Sequence, residues 1–449
     1  MFEKYEKLIE NAKAAGFEKA EVFYSSGTSF SVSVYEGEID DYSVESIAGL
    51  SLRGLIGGQM GYASTEDTSE EAFDELIQKA KANALILESE DKSFIYDGKE
   101  ELEWTSSVNP ELDKVTAEQK IALAMELEKK CFSLDPRVKK VPAATVATES
   151  TFRLLVNSEG CKRTFARNYA LAYAEVIVDD GKGGQMDGSA YKVTNDFTQI
   201  DAGHIAKEAV EDALCYVGAE SIPSGNMPIV MRNDAMATLL ATFQNVFVAY
   251  AAQKGMSLLG DKEGTEIASP ILTLWDDPSE GLGLAGKPFD GEGVPTVKKA
   301  VIENGKLNTL LYNLKSAAIA GKETTGNASR GSYRALVGTA PANFYIAPTE
   351  TPVETLYEQA GNGVRIDSMM GMHSGANPIS GDFSLLAKGM RIENGRLTTP
   401  VEQITISGNF YEVLKSVTAI GSDLKFGFPG ETSIGSPSVL LSHLTVTGK

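Results

Sequence analysis

Apolar and charged residues alternate at helical spacing in FEKYEKLIENAKAAG, which predicts an amphipathic helix from Tyr5 to Ala15. The period then changes to two. AEVFYSS and SFSVSVYEGEIDDYSVES read as strands, the latter folding back at Glu36-Gly37-Glu38 as a hairpin, and SLRGLIGGQMGYAST reads as a further strand pair. SEEAFDELIQKAKANALIL returns to helical spacing behind Thr68 or Ser69 and an acidic first turn.

The same order comes again between about residues 143 and 217. Strands in TFRLLVNSEGCKRTFARNYALAYAEVIVDD turn at Ser158-Glu159-Gly160, KGGQMDGSAYKV follows, and DAGHIAKEAVEDALCYVG closes as a helix. Both copies contain Gly-Gly-Gln-Met, at 57–60 and 183–186. The matching order of elements, more than the four shared residues, predicts an internal duplication with units at about 17–87 and 143–217. Between them, the polar stretch ESEDKSFIYDGKEELEWTSSVNP and the helix TAEQKIALAMELEKKCFSL read as a crossover. Proline and glycine cluster in GAESIPSGNMPIV, and the character of the chain changes there. One strong helix follows, with Asn233 or Asp234 as N-cap, running through AMATLLATFQNVFVAYAAQK to Gly255. Its apolar face, Leu239, Leu240, Phe243, Val246, Phe247 and Tyr250, marks a buried core helix. Beyond it come many short strands and one more helix near YEQAGNG. The expected class is α+β: an N-terminal α/β domain over 1–222 built from the duplicated unit plus helices, and a β-rich C-terminal domain over 223–449 with a buried helix.

Composition narrows the partners. The 449 residues are 42% hydrophobic, ample for full-sized cores, and the 62 acidic against 41 basic residues leave a formal net charge of −21. Such a surface repels a phosphate backbone, so nucleic acid is not an expected partner. Three widely spaced cysteines, Cys131, Cys161 and Cys215, fit free thiols in a reducing compartment. The amino terminus has no apolar run of signal-peptide type and no later stretch is long enough to span a bilayer, so a cytoplasmic protein without a membrane partner is expected.

Candidate chemistry is sparse. GLIGGQMG lacks the Lys-Ser/Thr of a phosphate loop and the spacing of a dinucleotide loop, and reads as hairpin geometry. His204, with Glu208 one turn on and Glu211 beyond, reads as a surface position, and His443 lies in a strand-like stretch. HSGANPISGDFS, residues 373–384, is the densest cluster: His373 and Asp382 could form an acid–base pair, Ser374, Ser380 and Ser384 carry hydroxyls, and Pro378 holds Asn377 extended. No nucleophile elbow accompanies them. A shaped binding or packing loop is the heavier reading, with direct catalysis the lighter one.

Several stretches together resemble the TldD/PmbA family: QKGMSLLGDKEGTEIASPILTLWDDP (253–278), PFDGEGVPT (288–296), LYNLKSAAIAGKETTGNASRGSY (311–333), HSGANPISGDFSLLAKGMRIENGRLTTPVEQITISGNF (373–410) and the ending IGSDLKFGFPGETSIGSPSVLLSHLTVTGK. The resemblance implies two domains, dimers around an enclosed cavity, and two branches. Members of the TldD type carry HExxxH on the C-terminal domain's helix and a later cysteine, which together hold a divalent metal that hydrolyses peptides. Here the motif's positions are Leu240, Ala241 and Asn245, and no cysteine follows Cys215. The chain therefore resembles the PmbA or TldE type. That branch implies a non-catalytic subunit, without metal or catalytic residues of its own, which pairs with a TldD-type subunit to act on unstructured peptides. It also implies that His373, Asn377, Ser380 and Asp382 belong to a loop facing substrate and cavity. The alternative is a homodimeric peptide-binding or scaffolding protein without protease activity.

Overall fold

A two-residue turn at Glu36-Gly37 organises the first sheet. Both residues have positive φ, 53° and 77°, the backbone that returns two twisted strands most tightly. In the computed structural model, which describes residues 1–86, 92–98, 100–102, 104, 106–181, 183–279 and 281–449, helix α1 (Phe2–Ala14) precedes strands β1 (Lys19–Tyr35) and β2 (Glu38–Ile56), joined by that turn. The two strands read on either side of Gly27 are one: Gly27 stays in the ladder opposite Ile47, and β1 runs unbroken over 17 residues. After Gly57-Gly58 come β3 (Gln59–Thr65) and α2 (Phe73–Ile86).

The second copy follows β4 (Ser106–Ser107) and comprises α3 (Ala117–Leu134), β5 (Val138–Asn157), β6 (Lys162–Asp179), β7 (Gln185–Thr194) and α4 (Ala202–Leu214). Thr116 opens α3 with a capping box, its hydroxyl accepting from Gln119 N–H at 3.3 Å while the Gln119 carbonyl accepts from Thr116 N–H at 2.9 Å. Of the polar crossover stretch between Glu88 and Pro110, residues 88–91, 99, 103 and 105 lie outside the described residues, as does Lys182.

The order of elements repeats across the sheet, with α3, expected as a crossover, standing to the second set of strands as α1 does to the first. The sheet runs β3-β2-β1-β5-β6, with β4 and β7 both on the outer side of β6, and β1 pairs antiparallel with β5 at its centre. Read outward from that centre, each half presents its first, second and third strand, and each copy has the order helix, three strands, helix. The two Gly-Gly-Gln-Met segments fall at the same station: Gln59 opens β3 opposite Ile56, the last residue of β2, and Gln185 opens β7 opposite Asp179, the last of β6. On one face α1 and α2 bury Leu8, Ala12, Phe73, Leu76 and Ile77 against Val22, Leu50, Leu52 and Leu154 of the strands.

By contact, the chain divides into two units. One comprises residues 1–214, 287–296 and 313–338, and the other 215–286, 297–312 and 339–449. In the second unit, β8 (Gly225–Met231) leads into helix α5 (Asn233–Phe243). The single helix expected as far as Gly255 is broken. A 3-10 turn spans Gln244–Phe247, Val248 is extended, and a short helix resumes at Ala249–Gln253. The cause is tertiary: Leu311 N–H donates to Phe247 O at 2.8 Å, and Ala249 N–H donates to Leu311 O at 2.9 Å. A strand-like pairing thus satisfies backbone groups that a continuous helix would have paired internally. Arg232 occupies the N-cap position in place of Asn233 or Asp234, and its side chain does not cap the helix.

Two six-stranded sheets complete this unit. In one, strands Arg396–Asn409, Asp382–Glu393, Gly363–Met370, β8 and Val439–Thr447 follow in order, and pairing of Thr405–Ser407 with Thr445–Thr447 closes the ring. Phe243 of α5 stacks on Phe410 with centroids 4.7 Å apart, and Phe247 meets Phe344 edge-on at 5.6 Å.

Gly61 on β3 and Gly188 on β7 let the closing helix of each copy rest on its third strand. A Cβ at Gly61 would lie 2.1 Å from Ala80 O, and one at Gly188 2.2 Å from Ala213 N. Replacing either by valine is expected to lower stability by about 1–3 kcal/mol, read as an earlier urea midpoint. A change under about 0.5 kcal/mol in either variant would contradict this packing.

Candidate functional site

The helix that would carry HExxxH presents a different surface here. Leu240 is fully buried, Ala241 half-buried, and Asn245 exposed in the 3-10 turn. Neither a leucine nor an alanine side chain offers a lone pair to a cation, and one exposed amide oxygen is no substitute for two imidazoles. The glycine-rich tail lies beside this helix: strand Ser433–Ser436 packs on α5, and Lys425 Nζ lies 3.1 Å from Asp234 Oδ2. Two stretches far apart in sequence therefore adjoin, and the residues at both do not fit a metal. Among the described residues no group of three or more His, Cys, Asp or Glu is placed to hold one.

The loop of residues 373–384 links two neighbouring strands of the closed ring. Met372–Gly375 forms one helical turn, where an irregular loop was expected. Asn377 then shapes the remainder, its Oδ1 accepting from the N–H groups of Ile379 and Ser380 at 2.9 and 3.2 Å. Asn409 Nδ2 donates to Ser380 O and to Asp382 Oδ1, both at 2.8 Å. Hydrogen bonds from Asn409 and Ser380 hold the Asp382 carboxyl below its usual range. Asn377, Ser380 and Asp382 are thus engaged within the loop and its neighbouring strand. His373 is exposed, and among the described residues it makes no hydrogen bond to Asp382 or to any serine. The structure does not assemble the acid–base pair.

The other two histidines lie apart. His204 Nε2 is 3.4 Å from Glu208 Oε1 on the exposed side of α4, and His443 Nδ1 is 2.9 Å from Ser442 Oγ, both side chains exposed. Cys131 and Cys161 are buried, which pushes their thiols up to about 12 and about 11, and Cys215 is partly buried.

In the first unit the structure shows a cluster that sequence reasoning missed. Glu21 on β1 and Arg53 on β2 stand directly opposite in the ladder. Both are buried, and they form a two-point pair at 2.7 and 3.1 Å. Arg53 Nη1 also reaches Glu292 Oε1 at 3.1 Å, and Arg330 Nη2 reaches Glu21 Oε1 at 3.1 Å while its guanidinium sits 4.7 Å from the Phe23 ring centre. Beneath them Asp290 accepts backbone N–H bonds from Glu292, Val294 and Ala328 at 2.8, 3.1 and 2.9 Å. Burial acts to lower Arg53, yet the charges of Glu21 and Glu292 raise it above its ordinary value; burial and the Arg53 charge push Arg330 down to about 10, still protonated at neutral pH. Burial, then the charge of Glu292, pushes the Asp290 carboxyl up to about 7 against its backbone donors. The signal lay in PFDGEGVPT and NASRGSY, whose charged residues sit among glycines and small residues that permit close approach.

Comparison with known proteins places the whole chain. The PmbA/TldA metallopeptidase C-terminal domain model matches residues 224–448, with the family's domain 1 at 20–84 and central domain at 110–215. The chain belongs to the PmbA/TldD family. It is 25% identical to a metalloprotease PmbA homologue of Haemophilus influenzae over 98% of this chain and 94% of that protein. Among solved structures it is similar to a protein of Thermotoga maritima described as a candidate modulator of a DNA gyrase, with TM-score 0.91, 31% identity and 99% of each chain covered. TldE of Thermococcus kodakarensis shares the fold with TM-score 0.91 at 23% identity, over 99% of this chain and 100% of that one. The family and the α+β class expected from the sequence both hold. No helix among the described residues is long and apolar enough to cross a membrane.

The Asp290 carboxyl carries a pH signature. Its folded-state value lies above its ordinary one, so the folded chain holds this proton longer as pH rises. The stability this group contributes is complete below about pH 4 and is lost progressively up to about pH 7. Asp290→Asn is expected to flatten the fall in urea midpoint between those values, whatever its absolute stability. An unchanged pH slope would contradict the assignment.

Proposed function

We propose that this chain is the non-catalytic PmbA/TldE-type subunit of a cytoplasmic TldD/TldE-like metalloprotease that acts on unstructured peptides. It contributes part of the cavity wall and the dimer interface, while a TldD-type subunit supplies HExxxH, the late cysteine and the divalent metal. The observation that carries this reading is the replacement of the motif by Leu240, Ala241 and Asn245, with Leu240 sealed in the core. The absence of cysteine from the adjacent tail agrees with it.

Within that complex the loop of residues 373–384 has a positioning role. Because Asn377, Ser380 and Asp382 are held by the fold, His373 is the member of the set whose side chain is open to a peptide. An extended substrate would add main-chain hydrogen bonds to a strand edge, which gives affinity with little sequence preference.

Metal analysis and peptide-cleavage assays on the chain alone, its TldD-type relative alone, and the mixture test the assignment. The expected result is no stoichiometric metal and no cleavage for this chain, and chelator-sensitive cleavage by a one-to-one complex. Cleavage by this chain alone would overturn it. A homodimer that binds peptide and ignores the relative would establish the scaffolding alternative. In the mixture, His373→Ala is expected to raise KM with kcat nearly unchanged; an undiminished cleavage rate at low substrate would remove His373 from the site.

A further inference from the structure

The internal duplication exposes a difference between its copies. In the second copy the outer edge of β6 is covered: β7 pairs with Ala170–Asp179 and β4 with Ala166 and Arg167. Asn168 clasps the backbone of Asn109 through hydrogen bonds of 2.8 and 2.9 Å, and Trp104 stands edge-on to Phe165 at 5.5 Å. The covering segment also brings Tyr96 and Leu102 to the same cluster. In the first copy, β3 pairs only with Leu50–Ile56, so from Glu38 to Ala48 the outer edge of β2 has no strand partner among the described residues.

One face of that edge is apolar and the other acidic. Ile39, Tyr42 and Val44 stand opposite Val34, Val32 and Phe30 of β1, so they share a face with that buried row and continue it outward. They remain 45%, 49% and 64% exposed, although the Phe30 and Tyr42 rings already meet edge-to-face at 5.3 Å. Protein edges are ordinarily blunted by lysine, proline or a bulge; this one has a bulge near its start, and no lysine or proline. Instead it carries Glu38, Asp40, Asp41 and Glu45, all exposed. Two copies of this edge would bring like charges together, which disfavours self-pairing.

We infer that the edge of β2 from Glu38 to Ala48 binds an extended segment of another protein, in which lysine or arginine alternates with aromatic or aliphatic residues. The segment adds a strand beside β2 and supplies what the chain's own β4, Trp104 and Asn109 supply to β6. Backbone bonds hold it, its apolar side chains cover Ile39, Tyr42 and Val44, and its cations face the four carboxylates. This surface belongs to the first unit, and the inference stands independently of the protease assignment.

The probe is a fluorescent ten-residue peptide alternating lysine with valine and tyrosine, titrated into the full chain. Hydrogen exchange with bound peptide should slow the amides of Glu38–Ala48. The double variant Tyr42→Thr/Val44→Thr keeps strand propensity and net charge, and should weaken binding by roughly tenfold, the equivalent of about 1.4 kcal/mol. An equal affinity in the variant, equal binding of the glutamate counterpart of the peptide, or protection confined to other strands would overturn the inference. So would a concentration-dependent dimer that the double variant abolishes, since the edge would then be occupied by a second copy.

Discussion

The first unit depends on keeping four charged side chains out of water together. Taking a carboxylate or guanidinium into a protein interior costs several kcal/mol per ion unless partners replace its hydration. Glu21 and Arg53 satisfy each other across adjacent strands, yet the pair is complete only when Glu292 and Arg330 arrive from segments more than 200 residues later. Removing any one member strands the others, at a cost of roughly 3–5 kcal/mol. This requirement accounts for the division of the chain. Residues 287–296 and 313–338 fold with the first unit because their charges have counterparts there, and Glu292 also anchors the start of the later segment by accepting from Leu314 N–H at 2.9 Å.

The first sheet shows how one repeated order of elements reaches two endings. Both copies place a glycine where the closing helix touches the third strand, and both begin that strand opposite the last residue of the second. Their outer edges diverge: Trp104 and Asn109 meet Phe165 and Asn168 of β6, whereas among the described residues the edge of β2 from Glu38 to Ala48 has no strand partner. An edge left open keeps unpaired backbone groups and neighbouring apolar side chains, which is a cost in isolation and an opportunity for a partner.

In the second unit, backbone satisfaction shapes the functional question as well. Leu311 pairs with the chain on either side of Val248, ends the helix early and leaves Asn245 in a tighter turn. Leu240 meanwhile contributes to the core. The scaffold is that of the PmbA/TldD family, and Leu240, Ala241 and Asn245 on it carry neither imidazole nor carboxylate. The loop of residues 373–384 is likewise held chiefly by its own backbone and Asn409, so its exposed histidine is a side chain on a rigid support.

What the sequence determined by itself is local or recorded in motifs. Helical and two-residue periods place α1, α3 and the hairpin at Glu36-Gly37 because those patterns follow from which face of an element is buried. Element order carries the reading of a duplication, and the distributed motifs reveal the family. Tertiary structure alone decided that Glu21, Arg53, Glu292 and Arg330 meet, that the long helix breaks at Gln244, that Asp382 accepts from Asn409 and not from His373, and that the edge of β2 from Glu38 to Ala48 has no strand partner among the described residues. Each depends on a partner distant in the chain, and a one-dimensional pattern carries the burial of a residue but not the identity of what is buried against it.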